Sequence, residues 1–498
     1  MVLEFEKFKS YYKDIFHLKS IVSLLYWDQR VYLPTRSFGL RSNQIKTIKT
    51  ILHYKLTDRD YGLILSRLFD KINQEQCDTT DKSMILNAKR EYDRSVRLPI
   101  GFVQQTSEHF TSSYAAWINA RQQNDFKIVL PYLEKTIRLS QQHAEYFPEF
   151  NHPVDSLIDE WDYGFTNENL KPIFSDLKEN LVPLARKIIE IKSRKANITL
   201  PKSRIPRNKQ IDFTTQLAKD MGFDFERGRI DTTTHPFCTE ASGLDTRIAT
   251  NVDENNLFRC LFAGMHEIGH GLYEQGINLN LEKTPLHNSH SLGLHESQSR
   301  LWENIIGRGL PFWEFYFPIL QNFFSPVFDK FSLEDIYDSV NFVTNTPIRV
   351  TADEVTYNLH IIIRRELECL LLEGHINPKN LPEAWNALYK KYLNIEIKND
   401  LQGVLQDVHW YSNFMGGLFQ SYTLGNLLSV QIYNAMYKSF ADLSNTIRKG
   451  NLKDITHWLT KNIHSHGGIY SVDEILQEVT GDKLKTQPLI DYLNAKYL

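Results

Sequence analysis

Residues Phe262 to Gln275 read Phe-Ala-Gly-Met-His-Glu-Ile-Gly-His-Gly-Leu-Tyr-Glu-Gln. Inside this run lies His266-Glu267-Ile268-Gly269-His270. A helix turns about 100° per residue, so His266 and His270 stand on one face, a turn apart. Two imidazoles at that spacing can hold one tetrahedral metal ion. Glu267 sits beside them, where a carboxylate can act as base on water at that metal. Leu261, Met265, Ile268 and Leu272 recur every three or four residues, so the stretch is predicted to be a helix, with Gly276 as its terminator.

Such a site needs a third protein ligand. The next candidate stretch is Leu294-His295-Glu296-Ser297-Gln298-Ser299-Arg300-Leu301-Trp302-Glu303. Leu294, Leu301, Trp302 and Ile305 pattern it as a second amphipathic helix, with Glu296 near its start as the expected third ligand. There are rivals. His295 would point about 100° away from Glu296 on a helix. Glu274 lies one turn beyond His270 and could stand behind the ligands instead. His287 and His290 share a stretch with Pro285, Asn288 and Ser289 that reads as loop.

Composition narrows the setting. The chain has 498 residues and a formal net charge of −3, so no electrostatic footprint points to nucleic acid or an anionic membrane. The start, Met1-Val2-Leu3-Glu4-Phe5-Glu6-Lys7, lacks a basic segment followed by an apolar run, and no signal peptide is expected. No stretch approaches the ~18 consecutive apolar residues of a membrane span. Cys77, Cys238, Cys260 and Cys369 are widely scattered, which fits reduced thiols in the cytoplasm better than a disulfide framework. Cys238 falls near a motif discussed below and is expected to be a bystander thiol.

Outward from the His-Glu-x-x-His stretch, nearly everything carries helical spacing. Helices are predicted over 7–27, 40–54, 82–96, 102–122, 132–147 and 170–195, then over 311–323, 333–343, 355–372, 381–392 and 424–440, with short helices over 455–498. Arg204 to Arg207 contains Pro206 and reads as loop. The strand candidates, 232–237 and 245–251, are rich in Thr and lie just before the central helix. No repeat, low-complexity segment or Gly/Ser/Pro-rich linker divides the chain. The expectation is one large, mainly α unit over 1–498 with a small β element and an active-site groove.

Other short stretches then become recognisable, and the chain resembles the carboxypeptidase Taq family of zinc carboxypeptidases, mostly helical proteins. Beyond His266-Glu267-x-x-His270, the family's patterns stand here as His295-Glu296-Ser297-Gln298, Ile348-Arg349-Val350-Thr351-Ala352-Asp353 and Gly403-Val404-Leu405-Gln406-Asp407-Val408-His409-Trp410. Asp245-Thr246-Arg247-Ile248-Ala249 matches an Asp-x-Arg-x-Thr pattern in part, with Ala249 where Thr is expected. His235-Pro236-Phe237 looks like the family's His-Pro-Phe, and Trp27-Asp28-Gln29 like its amino-terminal segment. The resemblance spans essentially the whole chain. One departure matters: where the family tends to read Gly-Tyr-Phe-Pro-x-Tyr, this chain has Gly417-Leu418-Phe419-Gln420-Ser421-Tyr422. Leu418 stands at the first Tyr, Tyr422 keeps the second, and Tyr411 is nearby in sequence.

The resemblance implies that His266, His270 and Glu296 hold one Zn²⁺, with Co²⁺ able to take its place, and that the chain forms a homodimer. It implies that His409 and His235 line the site and that Arg349 receives the substrate's terminal carboxylate. Read alone, Arg349 would pair with Asp353, four residues on. Arg247 shares a strand face with Asp245 and either pairs with it or lines the groove. Asp353, Asp407 and Glu303 are candidate acceptors for the imidazole N–H groups. The expected function is removal of single residues from the free C-terminus of peptides through a metal-activated water. The alternatives are a zinc oligopeptidase or aminopeptidase, or a catalytically weak peptide-binding zinc protein.

Overall fold

Apolar residues at three- and four-residue spacing must share a core, and such runs fold as helices along this chain. A computed structural model describes residues 2–72, 77–193, 204–287 and 291–498. The first helix, α1 (Val2–Val31), extends past both ends of the one expected over 7–27. The expected helix over 170–195 forms Asn167–Ser193, and its last positions lie outside the described residues. Helices that the spacing did not mark also form, among them Arg59–Ile72 and Arg207–Met221. In Arg207–Met221, Pro206 is the residue just before the first turn, so the proline that reads as loop stands at the start of a helix.

The small sheet corrects one expectation. Its strands are β1 (Gly228–Thr232), β2 (Phe237–Ser242) and β3 (Asp245–Thr250). The order is β1-β3-β2, with β1 parallel and β2 antiparallel to the central β3. Of the strand expected over 232–237, Thr232 ends β1 and Phe237 begins β2, and the residues between, 233–236, are the connection. Thr-rich composition favours strand there, but Pro236 has no N–H to give to a ladder.

The sheet leads into α2 (Leu257–Gly276), capped by the Asn256 side chain, which accepts from the Arg259 N–H. Gly276 is the last helical residue rather than a left-handed terminator. A methyl there would come within 2.6 Å of His464 Cβ, so close packing is what calls for glycine. Next comes α3 (Leu292–Arg300), with the Ser291 hydroxyl accepting from the Leu294 N–H. Its continuation, Leu301–Ile306, winds as a π-helix, a form that recurs at functional sites. Further on stand α4 (Tyr357–Leu372) and α5 (Phe419–Ser439). Helix α3 packs against α2 on one side and, along its length, against α5 on the other.

A continuous apolar core runs from Phe8 and Tyr61 through Leu261, Met265 and Trp302 to Leu489 and Leu493. Each fully buried large side chain contributes about 1.5–3 kcal/mol. Within this core the polar side chains of α2 and α3 are held where solvent hardly reaches. The four cysteines are free thiols. No helix among the described residues is long and apolar enough to cross a membrane.

Candidate active site

One turn of α2 separates His266 from His270, and α3 brings Glu296 against both. Glu296 Oε2 lies 3.5 Å from His266 Nε2 and 3.5 Å from His270 Nε2. The three ligand atoms all lie within 4.8 Å of one another. Bonds of about 2.0–2.1 Å to a tetrahedral zinc put neighbouring ligand atoms roughly 3.3 Å apart. The donor set of two imidazoles and a carboxylate, and these edge lengths, fit a divalent metal.

The surroundings hold Glu296 and His266 in that pose. Arg300, one turn after Glu296, donates Nε–H to Glu296 Oε1 at 2.7 Å and leaves Oε2 for the imidazoles. Burial alone would raise the Glu296 carboxyl, but Arg300 and His266 outweigh it and hold it well below the usual carboxylate range. His266 Nδ1 lies 2.9 Å from Glu303 Oε2, so Glu303 fixes the ring that aims Nε2 at the site. Of the three candidate acceptors, Glu303 alone has this role. Asp353 instead accepts from the backbone N–H groups of Thr344, Val355 and Thr356, and Asp407 is engaged by arginines. The rivals for third ligand are otherwise employed. His295 Nε2 lies 2.8 Å from Glu274 Oε1, and His287 pairs with Glu240 at 2.9 Å. His290 lies outside the described residues. Glu267 is buried beside the triad, and burial pushes its carboxyl up to about 7. A carboxyl so placed trades protons near neutrality.

Arg349 does not pair with Asp353. Its Nε and Nη2 both donate to Asp407 Oδ1, at 2.9 and 2.8 Å, and Nη1 donates to the Tyr357 hydroxyl at 3.1 Å. Asp407 Oδ2 accepts from Arg364 Nε at 2.6 Å. Two buried guanidiniums therefore share one carboxylate, which leaves an excess positive charge. Arg364 is spent on structure, since its other N–H groups reach the His360 carbonyl, the Tyr389 hydroxyl and Gln406. Arg349 is not, because among the described residues these contacts use three of its five N–H bonds. Tyr357 joins this cluster to the triad, with its ring 4.6 Å from the guanidinium carbon of Arg300.

His409 and Tyr422 flank Arg349. His409 Nε2 lies 3.3 Å from the Tyr422 hydroxyl, and the Tyr422 ring is 5.4 Å from the Arg349 guanidinium carbon. Burial pushes His409 down to about 4, so it is neutral at pH 7. Tyr411 is fully buried in the core. Arg247 is paired with Asp245 through two bonds of 2.7 and 2.8 Å, with its guanidinium 5.9 Å from the Trp27 ring. His235 is exposed and lines a cavity of about 550 Å³ with Asn251, Arg259 and Arg207 at the amino-terminal end of α2. No hydrogen bond joins it to the triad among the described residues. Cys238 lies on β2, where burial and then the nearby Glu274 and Glu267 keep its thiol protonated.

Sequence reasoning missed Arg300, Tyr357 and Arg364. Arg300 had a local signal, its i,i+4 spacing from Glu296. The other two act across the fold and had none.

The sequence matches the profile of the Carboxypeptidase Taq (M32) metallopeptidase family over residues 7–497. It is 34% identical to "Thermostable carboxypeptidase 1" of Thermus thermophilus, covering 100% of this chain and 97% of that one. It is also 34% identical to "Carboxypeptidase 1" of Bacillus subtilis, over 97% and 96% of the two chains. The structure resembles the crystal structure of an M32 carboxypeptidase from Deinococcus radiodurans, with TM-score 0.94, 37% identity and 99% of each chain covered.

Proposed function

The chain belongs to the carboxypeptidase Taq family of metallopeptidases, and from that premise we propose a zinc carboxypeptidase that removes single residues from free peptide C-termini. His266, His270 and Glu296 hold the metal. A zinc ion bound by them supplies Lewis acidity toward the scissile carbonyl and acidifies the attacking water. Glu267 takes the proton as the water oxygen attacks the carbonyl carbon, and gives it to the leaving nitrogen as the C–N bond breaks. Arg349 uses its two uncommitted N–H bonds to grip the terminal carboxylate, a charge-assisted contact. Asp407 and Tyr357 fix the plane of that guanidinium. Neutral His409 and the Tyr422 hydroxyl offer hydrogen bonds to the peptide near the reacting carbon.

The observation that carries this reading is the buried path Glu296–Arg300–Tyr357–Arg349. It sets a metal-shaped triad beside an arginine with donors to spare, an arrangement suited to a substrate whose last peptide bond lies next to its carboxylate. A homodimer is part of the proposal through the family, and a cytoplasmic location through the free thiols.

One digest tests it. Peptides with free and amidated C-termini are incubated with the enzyme, with and without a chelator, and read by mass spectrometry. Stepwise loss of single residues from the free acids alone, stopped by the chelator and restored by zinc, is the expected result. Equal cleavage of both peptide types with release of internal fragments would replace the proposal with an oligopeptidase.

A further inference from the structure

We infer that Gly425, on α5, is a positioning residue for Glu296, and that its lack of a side chain sets the third corner of the triad. The inference rests on the reading of His266, His270 and Glu296 as the metal site.

A methyl group at Gly425 would lie 2.5 Å from Glu296 Cγ, 2.8 Å from its Cβ and 3.2 Å from its carbonyl carbon. These are the near atoms of the side chain, not a flexible end that can swing aside. The far end is already committed, because Arg300 holds Oε1 at 2.7 Å and Oε2 stands 3.5 Å from each imidazole. Nor can α3 back away. On its opposite side Gly269 brings α2 so close that a methyl there would lie 2.7 Å from Ser299 Cα and 2.9 Å from the Gln298 carbonyl oxygen. Helix α3 is thus clamped between two glycine surfaces. An alanine at Gly425 presses on the Glu296 Cγ, Cβ and carbonyl carbon at once, so the side chain must turn about its own bonds and α5 must give way, and the turn carries the carboxylate off the shared corner.

Gly293 supplies the control. It lies in the same α3–α5 contact, but a methyl there would meet Leu424 Cβ at 2.8 Å and Asp162 Oδ1 at 3.1 Å. Crowding at Gly293 therefore costs packing without pressing on Glu296.

The test measures Zn²⁺ affinity by competition with a chromophoric chelator, and melting of the metal-free proteins. Displacing a group that orients a ligand costs about 10–100-fold in metal affinity. Gly425→Ala should weaken zinc binding by at least tenfold, whereas Gly293→Ala should lower the melting temperature and keep zinc affinity near wild type. Wild-type affinity in Gly425→Ala, or equal weakening in both variants, overturns the inference. A double-mutant cycle in the metal-free state reads the contact directly. Truncating Glu296 to Ala takes away the 2.5 Å Cγ contact and leaves the Cβ in place, so it should remove part of the destabilisation that Gly425→Ala causes, and additive effects overturn the inference. If Gly425→Ala does not fold, Glu296→Gly is added to it, which removes Cβ as well as Cγ; folding of that double variant supports the contact, and its failure to fold overturns it. Failure of the underlying site reading looks different: Glu296→Ala by itself would then bind zinc as tightly as wild type.

Discussion

The triad and the Arg349 cluster are both buried and both polar, yet they are built in opposite ways. Two of the three triad residues come from one turn of one helix, and the third from a helix packed on it. Local period places the imidazoles, and packing need only set one distance. The Arg349 cluster draws on the loop at Arg349, on Tyr357 and Arg364 of α4, and on Asp407, 58 residues beyond Arg349. No period relates those segments. The difference is also electrostatic. The triad is two imidazoles around one carboxylate, a donor set that suits a cation, and the cluster is two guanidiniums around one carboxylate, a surplus of positive charge that suits an anion. On the proposed reading, a peptide with a free C-terminus would bring a carbonyl to the first and a carboxylate to the second.

If chemistry lives at the triad and recognition at the cluster, variants should separate them. Glu267→Gln keeps the size and hydrogen bonding of the base but not its proton transfer. A general base contributes ~10²–10⁴-fold, so kcat should fall by that factor with zinc content and KM little changed. Near-normal turnover would move the base elsewhere, with Glu274 the first alternative to try.

The next largest effect falls on stability, at the cluster. Removing one partner of a buried ion pair costs about 3–5 kcal/mol, because the remaining charge stays buried. Asp407→Ala strands two guanidiniums and should lower the unfolding free energy by that amount in a denaturant titration. Burial alone would raise the Asp407 carboxyl, but Arg349 and Arg364 outweigh it and hold it well below the ordinary range. Its folded value is thus the lower one, so its stabilisation is complete above the ordinary value of about 3.9 and drains away as pH falls below it. The variant should lack that part of the acid dependence. An unchanged acid limb would mean that Asp407 is not ionised by its arginines.

Arg349→Ala comes next. A buried hydrogen bond to a charged group contributes ~1.5–3 kcal/mol, so kcat/KM on free-acid peptides should drop roughly tenfold to a hundredfold. Amidated peptides, already poor, should lose little more. Equal losses on both would place the carboxylate receptor elsewhere and break the division of labour between the two regions.

What was legible in the sequence follows the same division. Helical period predicted α2, its two histidines and the partner helix with Glu296, because each depends on residues a turn or two apart. The Thr-rich run before Pro236 leaves the sheet for a local reason too: β-branched composition favours strand, but the proline has no N–H for a ladder. Helix Arg207–Met221 is hidden in the sequence by Pro206, which reads as a break but stands just before the first turn. Arg349 is the instructive case. Spacing gave it Asp353, four residues on, whereas the fold gives it Asp407 and turns Asp353 into a backbone cap. Pairings made by tertiary contact leave no trace in spacing, and only the resemblance to family motifs marked Arg349 and His409. The glycines at 269 and 425 had no signal of their own, since what they avoid is visible only once three helices are in place.

The smallest effect concerns Leu418, where the family tends to carry a tyrosine. Leu418 is the residue just before α5, and Tyr422 follows one turn later on the same side of the chain. The Tyr422 hydroxyl is already 3.3 Å from His409 Nε2, and its ring is 5.4 Å from the Arg349 guanidinium carbon. A phenol therefore stands between the neutral histidine and the arginine without help from position 418. Leu418→Tyr should then change kcat by less than about threefold, under ~0.7 kcal/mol in barrier. The sharper measurement is made without the resident phenol. Tyr422→Phe should lower kcat more than it raises KM, because a donor to developing charge acts on the transition state. Adding Leu418→Tyr to that variant should recover part of the loss, since the new hydroxyl enters from the adjacent turn. A large gain from Leu418→Tyr alone would mean that Tyr422 does not serve as the donor, and that the cluster around Arg349 lacks a phenol the reaction can use.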